Sequence, residues 1–221
     1  MRKLVVSMNL TLDGFMCGPD DELDWHFQAW SGQMGQMLAE ELSKADTILL
    51  GRITYCAMAA YWPKPANALS LSRDDLAFAD MMNNYSKVVF SKTLKKTNWN
   101  NSRLIKGRLT QSVREMKTSA GKNIIIYGSG QLVGELAREN LVDQFLFWLH
   151  PVVIGKGKSF FTLFNKQLNL CLIEQRTFQS GVVVLRFANA MNNGYGAPTK
   201  VAYSSSPRFQ AASKNIFYGN E

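Results

Sequence analysis

Histidine is nearly absent from this chain: two of 221 residues, His26 and His150. A metal centre built on several imidazoles is therefore not expected. Cysteine is almost as scarce. Cys17, Cys56 and Cys171 are widely spaced and form no Cys-x-x-Cys pair, which argues against both a disulfide framework and a zinc site. The chain lacks a Gly-x-Ser-x-Gly nucleophile elbow and a Gly-x-Gly-x-x-Gly fingerprint. No apolar run approaches the roughly 20 residues that span a bilayer. The opening Met1–Val6 stretch starts like a signal peptide but turns polar at Ser7 and Asn9 and offers no small-residue cleavage site, so cytoplasmic residence is expected.

What is present is enough for one sizeable core. Hydrophobic residues make up 46% of the chain, in the range of a globular domain. The formal net charge is +8, which suits either nucleic acid or an anionic small molecule. The basic residues are scattered, with small clusters at Lys92, Lys95 and Lys96 and at Lys156 and Lys158. No aromatic-interleaved basic run of the kind that stacks single strands occurs, so nucleic acid is not the expected partner.

The most informative stretch is Asn123–Leu132. Three isoleucines run into Gly128-Ser129-Gly130 and then into a helical pattern. That order builds a strand, a tight turn and a helix N-terminus, where free amides and the positive end of the helix dipole suit a phosphate. Leu49-Leu50-Gly51-Arg52-Ile53-Thr54 repeats the pattern earlier. Either turn taken alone is also compatible with a plain tight connection.

Periodicity predicts strands over 4–10, 47–50, 87–90, 104–105 and 123–127, with helices over 33–45, 54–60, 74–85, 110–119 and 131–139. Beyond Asp143 the pattern changes. An apolar stretch, 144–149 and 152–154, is interrupted by Pro151, and a flexible basic loop follows at 155–158. Runs over 170–179 and 182–187, separated by Ser180-Gly181, read as a hairpin. The expected fold is a three-layer α/β/α sandwich with a mixed, mostly parallel central sheet and an antiparallel C-terminal hairpin. The domain is expected over 1–188, and 189–221 has no sustained period and reads as a flexible tail.

Five segments in order, Ser7–Gly14, Leu50–Tyr55, Val89–Lys92, Tyr127–Gly130 and His150–Phe161, resemble successive motifs of the reductase domain of the bacterial bifunctional riboflavin-biosynthesis deaminase–reductase and its stand-alone relatives. The resemblance covers roughly residues 2–188. It implies a dihydrofolate-reductase-like fold, NADPH as cofactor, hydride transfer to a small heterocyclic or sugar-derived substrate, and a homodimer. It also implies cofactor contacts at Gly51, Arg52 and Thr54, and at Tyr127, Gly128, Ser129, Gly130, Gln131 and Leu132. Ser91 and Lys92, a hydroxyl and an ammonium at a strand end, either hold the 2′-phosphate that separates NADPH from NADH, with Lys95 and Lys96 adding to the field, or belong to a solvated loop.

On the substrate side the candidates are Asp13, Glu22 and Asp24. Asp13 either reaches the pocket or makes an Asx-type turn with Gly14. Glu22 and Asp24 either anchor a pterin-like ring and support proton delivery or complement the dipole of the following helix. Trp25, Trp30, Tyr55 and Trp62 are available to wall a pocket, or to pack a core. His150 reads as a packed or interface residue rather than a base. The chain departs from the family where an acidic residue precedes the glycines. Tyr127 stands there, which puts the riboflavin precursor itself in question as substrate. The His-x-Glu and Pro-Cys-x-x-Cys deaminase motifs are missing, so the companion activity is not expected. Two other classes remain open: a nucleotide-binding module without turnover, and a basic nucleic-acid-associated protein.

Overall fold

The computed structural model describes residues 1–63 and 73–192, the side chains of 73–75 excepted. Eight strands form one sheet: β1 Leu4–Thr11, β3 Ala45–Gly51, β4 Ser86–Phe90, β5 Ser102–Ile105, β6 Asn123–Tyr127, β7 Gln144–His150, β9 Leu170–Thr177 and β10 Val183–Asn189. Their order is β5-β4-β3-β6-β1-β7-β10-β9. Neighbours from β5 to β7 run parallel, and only β10 opposes its neighbours. A second, two-stranded sheet pairs β2 Phe15–Cys17 with β8 Lys158–Ser159. The mixed, mostly parallel sheet and its antiparallel C-terminal hairpin match the expectation.

The central strands are buried on both faces, as parallel strands under helices must be. β6 carries Ile124, Ile125 and Ile126, all 2% exposed or less. One face packs against α2 Gly32–Ser43, α3 Arg52–Tyr61 and α4 Arg73–Asn84 through Met34, Met37, Leu42, Tyr55, Phe78 and Met82. The other packs against α5 Leu109–Thr118 and α6 Gly130–Arg138 through Val113, Met116, Val133 and Leu136. A five-residue helix, α1 Asp24–Gln28, precedes α2. Among the described residues no helix is long and apolar enough to cross a membrane.

This topology places the candidate site. From β3 the chain moves outward to β4 and β5; from β6 it moves the other way, past β1, to β7. The connections leaving the carboxyl ends of adjacent β3 and β6 diverge to opposite faces, and open α/β sheets bind ligands in the crevice at such a point.

Several local expectations are corrected. Residues 152–154 form no strand: Pro151 ends β7, and the Val152 carbonyl instead accepts from the Leu12 amide. Lys158 lies in β8 rather than in a free loop, and its ammonium is 2.6 Å from Asp21. β10 itself runs to Asn189. Asn189 is fully buried in β10, and the Asn192 amide donates to the Asn140 and Val142 carbonyls. Residues 193–221 of the expected tail lie outside the described residues.

Among the described residues Lys87 of β4 is the most buried cation, at 0% exposure. Burial pushes its ammonium down to about 8. Its three protons go to the carbonyls of Met82, Asn83 and Tyr85 at 2.8–2.9 Å, at and just past the end of α4, and it lies 4.4 Å from the centre of the Trp99 ring. These contacts satisfy carbonyls a helix end leaves unpaired, and place a cation at the negative end of its dipole. Lys87→Met is expected to cost about 3 kcal/mol of stability, because it leaves buried acceptors unpaired. Urea unfolding of the two proteins measures this.

Candidate functional site

The two glycine turns meet. β3 ends at Gly51, whose extended backbone (φ −82°, ψ 168°) starts α3. β6 ends at Tyr127, and Gly128 (φ +68°) and Ser129 (φ +58°) both take the left-handed conformation before α6 begins. The Gly51 amide donates to Ser129 Oγ at 2.6 Å, and that hydroxyl donates to Thr54 Oγ1 at 3.0 Å. A Cβ on Gly51 would lie 2.8 Å from Ser129 Oγ, and one on Gly128 would lie 3.1 Å from Thr54 Oγ1. A Cβ on Gly130 would lie 2.6 Å from the Met16 sulfur of β2. The glycines thus let two turns and a flap close on one another.

The result is two helix N-termini side by side. Neither α3 nor α6 has a side-chain cap. The first-turn amides of Arg52, Ile53 and Thr54 and of Gly130, Gln131 and Leu132 have no acceptor within their own helices, and both dipoles present their positive ends. An oxyanion fits such a place.

Thr54 and Tyr127 have roles other than those expected. Thr54 is no cap, and its hydroxyl accepts from Ser129. The Tyr127 ring turns into the core, 6.3 Å from Phe78, and burial pushes its phenol far above the usual range. Only its backbone borders the turn. Gln131 is exposed, and Leu132 packs against the core.

Beside the α3 turn lies a cleft of about 650 Å³ lined by Arg52, Cys56, Thr93, Leu94, Lys95 and Lys96. Ser91 does not line it; its hydroxyl accepts the Thr93 and Leu94 amides at 3.2 and 3.0 Å and so closes the turn. Lys92 is exposed and does not line the cleft, whereas Lys95 and Lys96 do.

The three carboxylates do not converge. Asp13 accepts from the Gly155 amide at 2.8 Å and from Ile154 at 3.2 Å, pinning the loop after β7. The Thr11 hydroxyl and those amides hold its carboxyl below the usual range. Glu22 accepts the Asp20 amide at 2.7 Å and folds over Gly18. Asp24 is exposed in the first turn of α1, where an acid favours the helix dipole. Tyr55 and Trp62 belong to the core: the Tyr55 hydroxyl accepts the Asn98 and Trp99 amides, and Trp62 packs on Phe78. Trp25 and Trp30 stand apart from them, at the end of β7.

There, His150 pairs in register with Thr11 of β1, and its Nε2 lies 3.0 Å from Asn9 Oδ1. The Trp25 and His26 rings lie 5.0 and 5.3 Å from its own. Burial, then the neighbouring His26, pushes the His150 imidazole down to about 4; burial lowers His26 as well. Asn9 and His26 carried no sequence signal, because each meets His150 from far away in the chain.

The architecture and the crevice define a dihydrofolate-reductase-like α/β domain. The chain belongs to the RibD C-terminal domain family, which matches residues 2–184; this is a reductase-like domain. It is 32% identical to the uncharacterized Bacillus subtilis protein YyaP over 182 residues, covering 82% of this chain and 92% of that protein. A putative riboflavin biosynthesis protein from a Shewanella species shares the fold, with a TM-score of 0.64 at 17% identity over 85% of this chain and 98% of that one. So does the deaminase/5-amino-6-(5-phosphoribosylamino)uracil reductase of Thermotoga maritima, with a TM-score of 0.59 at 12% identity, over 85% of this chain but only 56% of that longer chain.

Ser129→Ala is expected to cost about 1 kcal/mol, since it removes the acceptor of the half-buried Gly51 amide; thermal melting measures it. Stability is also expected to fall on acidification. Between about 4 and 6.5 the unfolded His150 binds a proton that the folded one refuses, so acid favours unfolding in that window. Between pH 7 and pH 5 the loss is about 2 kcal/mol. His150→Gln should flatten that part of the urea-midpoint profile.

Proposed function

We propose that this protein is an NADPH-dependent reductase that transfers a hydride to a small heterocyclic, pteridine- or pyrimidine-like, or carbonyl substrate. The observation that carries this reading is the meeting of two uncapped helix N-termini at the β3/β6 switch point, beside a cleft lined by Arg52, Lys95 and Lys96. The first-turn amides of α3 and α6 suit the diphosphate. Arg52, Lys95 and Lys96 suit a further phosphate, the feature that separates NADPH from NADH. The bound cofactor supplies the hydride. The protein's part is to hold the ring and the acceptor in line and to keep water away, which explains why no triad is needed.

A second reading, nucleotide binding without turnover, draws on one observation: the Asp13 and Glu22 carboxylates are engaged by loop amides. NADPH oxidation with a panel of pteridines, pyrimidines and quinones separates the two, turnover with any of them favouring the reductase. Cytoplasmic residence belongs to the same proposal. So does a homodimer, for which exposed Leu172 and Ile173 on edge strand β9 offer apolar surface. Sedimentation velocity is expected to give twice the monomer mass, and Leu172→Glu to halve it.

The cofactor reading predicts saturable quenching of tryptophan fluorescence by NADPH. The double variant Lys95→Ala/Lys96→Ala should raise the NADPH dissociation constant about tenfold and that of NADH less than about twofold. Gly128→Asp should weaken both by about tenfold or more, with circular dichroism unchanged. Unaltered affinity in Gly128→Asp would remove the turn from the site.

A further inference from the structure

Trp25 Nε1 and His150 Nδ1 are sealed from solvent and have no hydrogen-bond partner among the described residues. Trp25 is 9% exposed and His150 0%. They are carried by one pair of neighbouring rings, with centroids 5.0 Å apart and planes nearly edge-on at 75°. Buried polar groups are almost always paired, so two unpaired ones in one contact call for a reason, and functional sites are where such costs are kept.

Their chemistry is complementary. Asn9 Oδ1 faces His150 Nε2, which puts the proton on Nε2 and leaves Nδ1 a bare acceptor. The indole nitrogen only donates. The contact therefore holds one unused donor and one unused acceptor, flanked by the His26 ring at 5.3 Å. Its place in the fold is telling. Asn9 and His150 lie at the carboxyl ends of β1 and β7, and β1 directly neighbours β6, whose end carries the glycine turn.

The element that covers the pair is built lightly. α1 has five residues and no side-chain cap. On it and just beyond it, Phe27 is 67% and Trp30 39% exposed, aromatic surface facing solvent at the rim.

We propose that Trp25 and His150 are the specificity-determining pair for the acceptor. An uncharged ring with an N–H beside a C=O, the edge of a cyclic amide or imide, enters between α1 and the ends of β1 and β7. Its carbonyl accepts from Trp25 Nε1, and its N–H donates to His150 Nδ1. Asn9 holds the imidazole in the required tautomer. The rings of Trp25 and His26 give up their contact with His150 and stack on the guest instead. Anionic rings are rejected, because the neutral imidazole offers no counter-charge to a buried negative group. This inference rests on the reductase reading and names the acceptor edge that reading leaves open.

Two histidines make the test direct, since nitrogen NMR of the labelled full-length chain shows only two imidazoles, assigned with His26→Gln. Uracil, N,N′-dimethyluracil and orotate are titrated with and without NADPH. Uracil is expected to move the His150 Nδ1 resonance saturably. The dimethyl ring, which lacks the N–H, and orotate, which is an anion, should bind at least tenfold more weakly. Trp25→Phe keeps the aromatic packing and loses the donor. It should weaken uracil about tenfold, leave NADPH affinity unchanged and preserve the circular dichroism spectrum. An unmoved Nδ1 resonance, equal binding of uracil and its dimethyl derivative, or undiminished uracil affinity in Trp25→Phe would each overturn the assignment. NADPH quenching in the same samples reports the parent reading separately: if NADPH binds and uracil does not, the pair is wrongly assigned; if uracil binds and NADPH does not, the recognition pair stands and the hydride chemistry falls.

Discussion

One hydroxyl joins the two halves of the sheet's carboxyl edge. Ser129 Oγ accepts a hydrogen bond from the Gly51 amide and donates one to Thr54 Oγ1. Without that bridge, α3 and α6 would start from separate turns on separate strands. With it, their positive ends stand together, and the space between them is set to within the reach of a hydrogen bond. The bridge also dictates residue type. Gly51 has no room for a Cβ beside Ser129, and Gly128 must be left-handed where Thr54 approaches. The glycine pattern of the two turns is thus, at the level of contacts, a pattern of chain packing on chain.

The edge divides chemically along the sheet. Over β3, β4 and β6 it offers backbone amides, Arg52 and two lysines, all suited to negative charge. Over β1 and β7 it offers Asn9, two lowered imidazoles and indole rings, suited to a neutral ring. A dinucleotide reductase needs this separation, with charge held at one end and an apolar, uncharged reacting region at the other. At the end of β6 Tyr127 turns its ring into the core beside Phe78, so the polar side chains that meet along this edge are those of Asn9 and His150, on β1 and β7.

Legibility followed the range of the interactions. The isoleucines of β6, the apolar period of α2 and the Ser180-Gly181 turn are local patterns, and each element formed where expected within a few residues. β2 and β8 were missed because two- and three-residue strands have no period of their own; they exist because residues 15–17 and 158–159 meet across the chain. The same distance hid the carboxylate roles. Asp13 reads as a turn residue or a pocket residue from its neighbours alone. Which of these it is depends on the amides of Ile154 and Gly155, brought to it by the pairing of β1 with β7.

The sequence by itself determined the order of strands and helices, the family, and the two strand–glycine–helix turns, because hydrophobic period and glycine placement act between near neighbours. The tertiary structure decided that those turns share one crevice, that Lys95 and Lys96 rather than Lys92 line the cleft beside it, and that Trp25, His26, Asn9 and His150 form one cluster. These are meetings of residues far apart in the chain. Only strand order and register fix which of them touch.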